Sequence, residues 1–140
     1  MSRPTPATRT DFSTFQTLTT RWFDNDIYGH MNNAVHYQLF DTAVNGYLVQ
    51  QGLLDPRAGT NVFLVVETGC RYHAELAFPD LIDAGIAVTR LGRSSVHYRI
   101  GLFRNSGSSA AAEGHFIHVN VSRQSRRPEP IDDRTRAALQ

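Results

Sequence analysis

The 140-residue sequence contains no lysine, a single cysteine and no long apolar run; the longest is VFLVV at residues 62–66. A lone cysteine, Cys70, cannot form an internal disulfide, which agrees with a reducing compartment. A helix that crosses a bilayer needs about 20 apolar residues. The opening residues MSRPTPATRTD contain no apolar run as long as that of a signal peptide. We therefore expect a soluble, cytoplasmic protein without membrane association.

Strong net charge and metal-ligand motifs are also missing. The formal net charge of +1 is too small for the strongly basic surface that binds nucleic acid, so no nucleic-acid partner is expected. Because there is no C-x-x-C motif and no pair of histidines at ligand spacing, we predict no metal site and no cofactor. All fourteen basic residues are arginine, and guanidinium groups bind phosphate in a bidentate manner. The arginines of the RLGRSS and SRQSRRPEP segments are therefore candidates for contacts with a nucleotide-type ligand.

The spacing of apolar residues predicts one α+β domain over residues 1–140. Residues 16–22 alternate like a strand, and a helix is expected next, with a stop at Gly52. Its buried face is predicted to consist of Phe40, Ala43, Val44, Tyr47 and Leu48. Four more strands and a short terminal helix capped by Asp132 are expected to follow, with the strands at residues 62–72, 81–91, 95–103 and 111–121. About five antiparallel strands around one long helix are the predicted architecture.

Polar residues are densest at the junction between the first strand and the helix, where residues 24–33 read DNDIYGHMNN. The first N–H groups of a helix lack internal partners and carry partial positive charge, so an oxyanion is stabilised there. A carboxylate from Asp24 or Asp26 could attack a carbonyl or deprotonate a water beside it, a combination that suits acyl transfer. The same residue types are also ordinary in turns and caps, and Asn32 or Asn33 could serve only to cap the helix.

The run DNDIYGHMNNAVHYQLFDTA resembles the D-x-D-x-x-G-H-x-N-N-A signature of the 4-hydroxybenzoyl-CoA thioesterase family of hotdog-fold acyl-CoA thioesterases. The segment CRYHAELAFPDLIDAGIAVTRLGRSSVHYRIGLF is similar to the next strands of that family. The resemblance extends from about Leu18 to Pro128. It implies a hotdog fold, in which an antiparallel sheet wraps one central helix.

The resemblance also implies roles for individual residues. Asp26 corresponds to the catalytic carboxylate, with Asp24 as its structural neighbour and Asp41 in the helix as the runner-up. A backbone N–H near Asn33 corresponds to the group that polarises the thioester carbonyl, and we expect His30 to position the loop or the substrate. Substrate contacts are expected from Tyr28, Gly29, Arg93, Ser94, Ser95 and Arg126. Two departures stand out: His36 replaces a common tyrosine, and Glu75 replaces a proline.

Three further polar residues fall in predicted strands. Glu67 is expected on the strand face that carries Phe63 and Val65, either in a structural role or close to the catalytic carboxylate across an interface. His115 and His118 should lie on opposite faces of their strand, so they cannot form one ligand pair.

The function that these patterns predict is hydrolysis of an acyl-CoA thioester, with Asp26 as nucleophile or general base. Two alternatives remain open: an acyl-carrier-protein thioesterase with the same centre, and a non-catalytic module that binds acyl-CoA. A sheet of this kind leaves edge strands exposed, so we also predict a homodimer or a homotetramer with active sites at the subunit interface.

Overall fold

A computed structural model describes residues 4–140 of the chain. Five strands form one antiparallel sheet in the order β1-β3-β4-β5-β2. Short 3-10 helices lie at Arg9–Asp11 and Trp22–Asp24. The strands and α-helices are β1 (Thr14–Thr19), α1 (Val35–Gln50), β2 (Asn61–Tyr72), β3 (Leu81–Leu91), β4 (Ser95–Arg104), β5 (Ala112–Ser122) and α2 (Asp133–Leu139). The predicted α+β class and hotdog architecture are confirmed.

Helix α1 lies on the inner face of the sheet because its apolar stripe has the predicted spacing. Phe40, Ala43, Val44 and Leu48 are fully buried. The Phe40 ring lies over Gly114 of β5, where an added Cβ would come within 2.4 Å of the ring. The helix ends at the predicted stop, where Gly52 adopts a φ of 70° that a residue with a side chain rarely takes.

The first strand is shorter than the sequence predicts. Strand β1 ends at Thr19, and the predicted strand residue Trp22 begins a 3-10 turn instead. Two polar side chains end the strand: the hydroxyl of Thr20 donates to the carbonyl of Asp80 at 2.7 Å, and the carboxylate of Asp24 accepts from the Arg21 N–H at 2.8 Å. These side-chain bonds to the backbone compete with continued strand pairing.

A β-bulge in β2 overturns the predicted strand face of Glu67, and with it the approach to the catalytic carboxylate, but not the predicted structural role. The pairing of β2 with β5 shifts between Val65 and Glu67, so the chain gains one residue and the alternation reverses. Glu67 therefore lies on the outer face, where its Oε2 is 3.2 Å from the Nε2 of His115. By contrast, the opposite faces predicted for His115 and His118 are confirmed, because His115 is exposed and His118 is fully buried.

The two ends of the chain cover other parts of the sheet. A small outer cluster of Ala7, Phe12, Phe103 and Ala110 packs the N-terminal segment on the outer face. At the other end, Asp132 caps α2 as predicted by accepting from the N–H of Thr135 at 2.7 Å. In the part of the chain that the structure describes, no helix is both long and apolar enough to span a membrane.

Candidate active site

The loop between Asn25 and Met31 is a tight turn that brings two predicted site residues to its base. Asn25 and Met31 form an isolated antiparallel bridge, and the Asp26 N–H donates to the His30 carbonyl at 2.9 Å. The reversal needs a left-handed residue, which Gly29 supplies with a φ of 83°. Backbone bonds therefore hold the side chains of Asp26 and His30 on the same side of the loop.

The two aspartates of the D-x-D run differ in what their oxygens contact. Asp24 is 3% exposed, and its carboxylate accepts from the backbone and the guanidinium of Arg21. Asp26 has a side chain that is 22% exposed, with Oδ1 accepting from the Tyr28 N–H at 2.8 Å. Its Oδ2 lies 3.8 Å from Nδ1 of His30, too far for a hydrogen bond. Asp26 is thus the carboxylate with an oxygen left for chemistry, whereas Asp24 is occupied with the turn.

The start of α1 presents a backbone donor beside this loop. The Asn32 side chain accepts from the Ala34 N–H at 2.9 Å, and the Val35 N–H donates to the Asn32 carbonyl at 2.9 Å. Within residues 4–140, the Asn33 N–H donates to no protein acceptor. The Asn32 side chain therefore occupies the N–H of Ala34, the N-cap residue, which has no side-chain cap of its own, and the N–H of Asn33 remains available close to the positive end of the helix dipole.

A pocket of about 340 Å³ opens next to this N–H. The side chain of Tyr72, at the end of β2, donates from its hydroxyl to the carbonyl of Asn33 and packs edge-to-face on His36, with ring centroids 4.7 Å apart. Burial raises the pKa of Tyr72 and lowers the pKa of His36, so both groups are neutral at physiological pH. The remaining lining residues are His30, Met31, His73, Ala74, Glu75 and Leu76.

Sequence reasoning named His36 and Glu75 as departures from a family pattern that could alter the acyl pocket, and it did not name Tyr72 as a site residue. Both His36 and Tyr72 lie in apolar periodic segments, where the pattern gives no sign that their rings meet. The only available signal was the break in apolar character at His36, within an otherwise apolar helix face.

The predicted substrate contacts fall into two distant groups. Tyr28 and Gly29 belong to the loop, and Tyr28 is 78% exposed. This loop contacts the start of β3, because the Phe78 N–H donates to the Asn25 side chain at 3.0 Å. Arg93, Ser94 and Ser95 follow the far end of β3, a strand of 11 residues, so they lie about 35 Å away at the usual rise per residue. One chain does not bring these residues together with Asp26.

Arg126 lies at the same far end as Arg93. The Ile131 N–H donates to the Arg93 carbonyl at 2.9 Å, which ties the segment after Arg126 to the turn between β3 and β4. Hydrogen bonds from Arg123 and Arg136 join the neighbouring segments there, and these segments carry eight arginines against four acidic residues, Asp55, Glu129, Asp132 and Asp133, a net charge of +4 for this end. We call it the arginine end; its arginines are Arg57, Arg90, Arg93, Arg123, Arg126, Arg127, Arg134 and Arg136.

Residues 24–33 and 72–81, at the opposite end of the sheet, are called the loop end. Apolar side chains are unusually exposed there: Trp22 and Phe23, just before it, are 77% and 89% exposed, and Ile27 is 92% exposed. Across residues 4–140, no group of three or more His, Cys, Asp or Glu side chains is arranged to hold a metal ion.

Comparison with known proteins places the chain in a family. Residues 20–139 match the model of the thioesterase-like superfamily, so the chain belongs to that superfamily. The PA5185 protein of Pseudomonas aeruginosa is 48% identical, with a TM-score of 0.93 over 97% of this chain and 94% of that one. No curated protein matches the chain.

Two further structures extend the comparison. The PA2801 protein of Pseudomonas aeruginosa, provisionally named a thioesterase, is 26% identical, with a TM-score of 0.81 over 90% of this chain and 97% of that one. Slr0204 from Synechocystis, a 1,4-dihydroxy-2-naphthoyl-CoA thioesterase, is 14% identical, with a TM-score of 0.79 over 89% and 93%. At that identity the likeness to Slr0204 concerns the fold alone.

Proposed function

We propose that the protein hydrolyses an acyl-CoA thioester to the free acid and coenzyme A. The observation that carries this proposal is one tight loop that holds both Asp26, a carboxylate with a free oxygen, and the pocket-lining His30, just before the free N–H of Asn33 in the same pocket wall. Membership of the thioesterase-like superfamily supports the same reaction class.

In the proposed mechanism the carbonyl oxygen of the thioester accepts from the Asn33 N–H. Asp26 Oδ2 either attacks the carbonyl carbon or removes a proton from a water that attacks it. In the first route the tetrahedral intermediate expels the coenzyme A thiolate and leaves an acyl anhydride, which water then hydrolyses. In the second route the water that has lost its proton to Asp26 adds to the carbonyl carbon, and the tetrahedral intermediate expels the coenzyme A thiolate, which takes up that proton, to give the acid directly. In both, the positive end of α1 stabilises the oxyanion, a contribution typically worth about a hundred- to a thousand-fold in rate for each donor.

The tight loop gives His30 a positioning role in this mechanism. Its Nδ1 lies 3.3 Å from the Met31 carbonyl and 3.8 Å from Asp26 Oδ2. A proton on Nδ1 would therefore face both acceptors and hold the Asp26 carboxylate beside the His30 ring, which lines the pocket. Tyr28 and Gly29 form the loop wall that the substrate passes.

We further propose that the working site is completed by a second copy of the chain. Strand β2 is an edge strand of 12 residues, and it exposes Leu64, Val65 and Val66 by 37%, 41% and 61%. An exposed apolar edge of this length favours pairing with another strand. Antiparallel pairing of β2 with its own copy would cover these residues and would place the end of one β2 beside the beginning of the other.

That arrangement brings the predicted phosphate contacts to the site. The beginning of β2 adjoins the arginine end, because Asn61 pairs with Ser122 and the Arg123 N–H donates to the Thr60 carbonyl at 2.8 Å. The end of β2 is Tyr72, in the pocket wall. The arginine end of one subunit would thus lie next to the pocket of its partner, where Arg126 could meet the phosphates of coenzyme A, and Arg93, Ser94 and Ser95 lie on the same end.

The net charge of the arginine end also favours a second candidate, hydrolysis of thioesters on an acidic acyl carrier protein. A panel of acyl-CoA substrates of different chain length, run beside the same acyl groups on carrier protein, tests both, with free thiol as the readout. We expect faster turnover of the coenzyme A thioesters. Turnover of carrier-protein substrates alone would replace the first candidate with the second. If no thiol is released from either substrate class, the protein is a module that binds acyl-CoA without hydrolysing it.

A further inference from the structure

The carboxylate of Glu75 is a charged group of the pocket wall that the mechanism proposed above does not use. Glu75 is exposed and lines the same pocket as Asn33 and His36. Within residues 4–140, its carboxylate makes no hydrogen bond and no ion pair. Because Glu75 stands where the family pattern usually has proline, it adds a negative charge that the pattern lacks.

The histidines of the pocket wall do not offset this charge. Nδ1 of His30 lies 3.8 Å from Oδ2 of Asp26, and Nε2 of His73 lies 2.8 Å from Oε2 of Glu113. A proton on either ring would therefore face a carboxylate of its own. Burial lowers the pKa of His36, so that ring is neutral at physiological pH.

Arginine does not offset the charge either. In the part of the chain that the structure describes, no arginine lines the pocket, and the sequence contains no lysine. Arg71, one residue before the end of β2, lines a separate pocket. The guanidinium of Arg21 is bound to Asp24 at 2.9 Å. That of Arg104 is bound to Asp80 at 3.0 Å. The wall thus carries an uncompensated negative charge in addition to the catalytic carboxylate.

The pocket is small enough for this charge to act on any group that is bound in it. A sphere of about 340 Å³ is about 9 Å across, close to the screening length of about 8–10 Å at ordinary salt concentrations. With the thioester oxygen on the Asn33 N–H, the far end of a five-carbon acyl chain lies roughly 5 Å from the thioester carbon. A carboxylate at that end would therefore be repelled by Glu75 whichever direction the chain takes within the pocket.

We propose that Glu75 makes the enzyme select neutral acyl groups over acyl groups that carry a second carboxylate, the monothioesters of dicarboxylic acids. This selection rests on the proposed thioesterase function and adds to it a substrate class and a specificity-determining residue. In the proposed dimer the arginine end of the partner meets the phosphates of coenzyme A, so the acyl group is the part of the substrate that meets Glu75. Repulsion of the wrong ligand is sufficient for specificity, because specificity is a difference between two binding free energies.

The test compares kcat/KM for valeryl-CoA, glutaryl-CoA and the methyl ester of glutaryl-CoA, which keeps the polar end but has no charge on the acyl group. We expect the parent protein to prefer both neutral substrates. Glu75→Gln should raise kcat/KM for glutaryl-CoA by about three- to tenfold, the scale of one partly screened charge pair, and should leave the neutral substrates within about twofold. The gain should shrink as salt rises. Glu67→Gln, the same change on the outer face of β2, should leave the ratios unchanged.

Binding supplies a measurement that does not depend on turnover. In Asp26→Asn, calorimetry should show weaker binding of glutaryl-CoA than of its methyl ester, and adding Glu75→Gln should narrow that difference. A ratio of glutaryl-CoA to methyl ester that is the same in the parent and in Glu75→Gln would overturn the charge selection while leaving the thioesterase proposal intact, and so would a parent that prefers glutaryl-CoA. Failure to hydrolyse any of the three thioesters would overturn the function itself, and the binding difference would then decide the selection.

Discussion

The loop end and the arginine end differ in whether their polar groups are enclosed by the protein or exposed to solvent. At the loop end, Tyr72 and His36 are neutral, and His36 is enclosed; among residues 4–140, the Asn33 N–H and one oxygen of Asp26 have no hydrogen-bond partner. At the arginine end the charges are numerous, and most are exposed, as Arg93 and Arg126 are. A preorganised group in an enclosed site acts strongly on one bond, whereas solvated charges act weakly and in sum.

The largest effect is expected from the carboxylate at the loop end. Asp26→Asn keeps the volume but removes the nucleophilic or basic oxygen, so turnover should fall at least a hundredfold with little change in apparent affinity. Steady-state kinetics on a substrate that the parent hydrolyses measures this. Asp24→Asn should instead lower the free energy of unfolding, because it loosens the Arg21 turn. Near-parental turnover in Asp26→Asn together with a collapse in Asp41→Asn would move the catalytic acid to the helix.

The second prediction concerns the pairing of β2 with its own copy, the contact that would bring the arginine end of one subunit to the loop end of the other. Val66→Arg places a charge on the exposed edge of β2 and should prevent self-pairing, which a charged edge residue opposes. We expect a monomer by light scattering and at least a tenfold loss of turnover, since the arginine end of a partner would no longer reach the pocket. Leu81→Arg, an equally polar change at a side chain that is 51% exposed on β3, serves as the control. A stable parent monomer at micromolar concentration would contradict the shared site.

The third prediction concerns the core that separates the two ends. His118 is fully buried among Phe63, Tyr98 and Phe116, and in the described part of the chain neither ring nitrogen has a hydrogen bond. Burial lowers the pKa of His118 from 6.5 to about 4. The neutral ring is the folded form, so its stabilising effect is complete above pH 6.5 and is lost as the pH falls toward 4, by about 3 kcal/mol in total.

Urea unfolding at pH 7.5, 5.5 and 4.5 measures this loss. Carboxylates also titrate in this range, so the informative quantity is the difference between the parent and His118→Phe, which cannot take up the proton. That difference should move in favour of the variant as the pH falls. A difference that stays constant with pH would mean that His118 does not remain neutral in the folded protein.

The smallest effects are expected at the arginine end. Arg126→Ala and Arg93→Ala should each weaken coenzyme A binding only a few-fold, because exposed charge pairs are worth about 0.2–1 kcal/mol and are screened by salt. Titration calorimetry at low and high salt should show the difference between parent and variants shrinking as salt rises. Arg104→Ala, an exposed arginine at the end of β4, is the matched control. Unchanged affinity in all variants would remove these arginines from the site.

The local pattern determined most of the architecture. Strands β2 to β5 and α1 lie within a residue or two of their predicted bounds because each has a clear apolar period, and Gly52 and Asp132 end or begin a helix through bonds with their immediate neighbours. The D-x-D run likewise predicted a polar turn at the start of a helix. These features depend on residues that are close in the chain, so their chemistry can be read from the order of the residues alone.

Other features depend on residues that are far apart in the chain, and only the tertiary structure decided them. The bulge that turns Glu67 outward arises from the register with β5, the pairing of Tyr72 with His36 joins the end of β2 to α1, and the distance of Arg93 from Asp26 follows from the length of β3. Pairing register, burial and separation are properties of the assembled sheet. A one-residue shift in register changes the face of a side chain without changing the sequence around it.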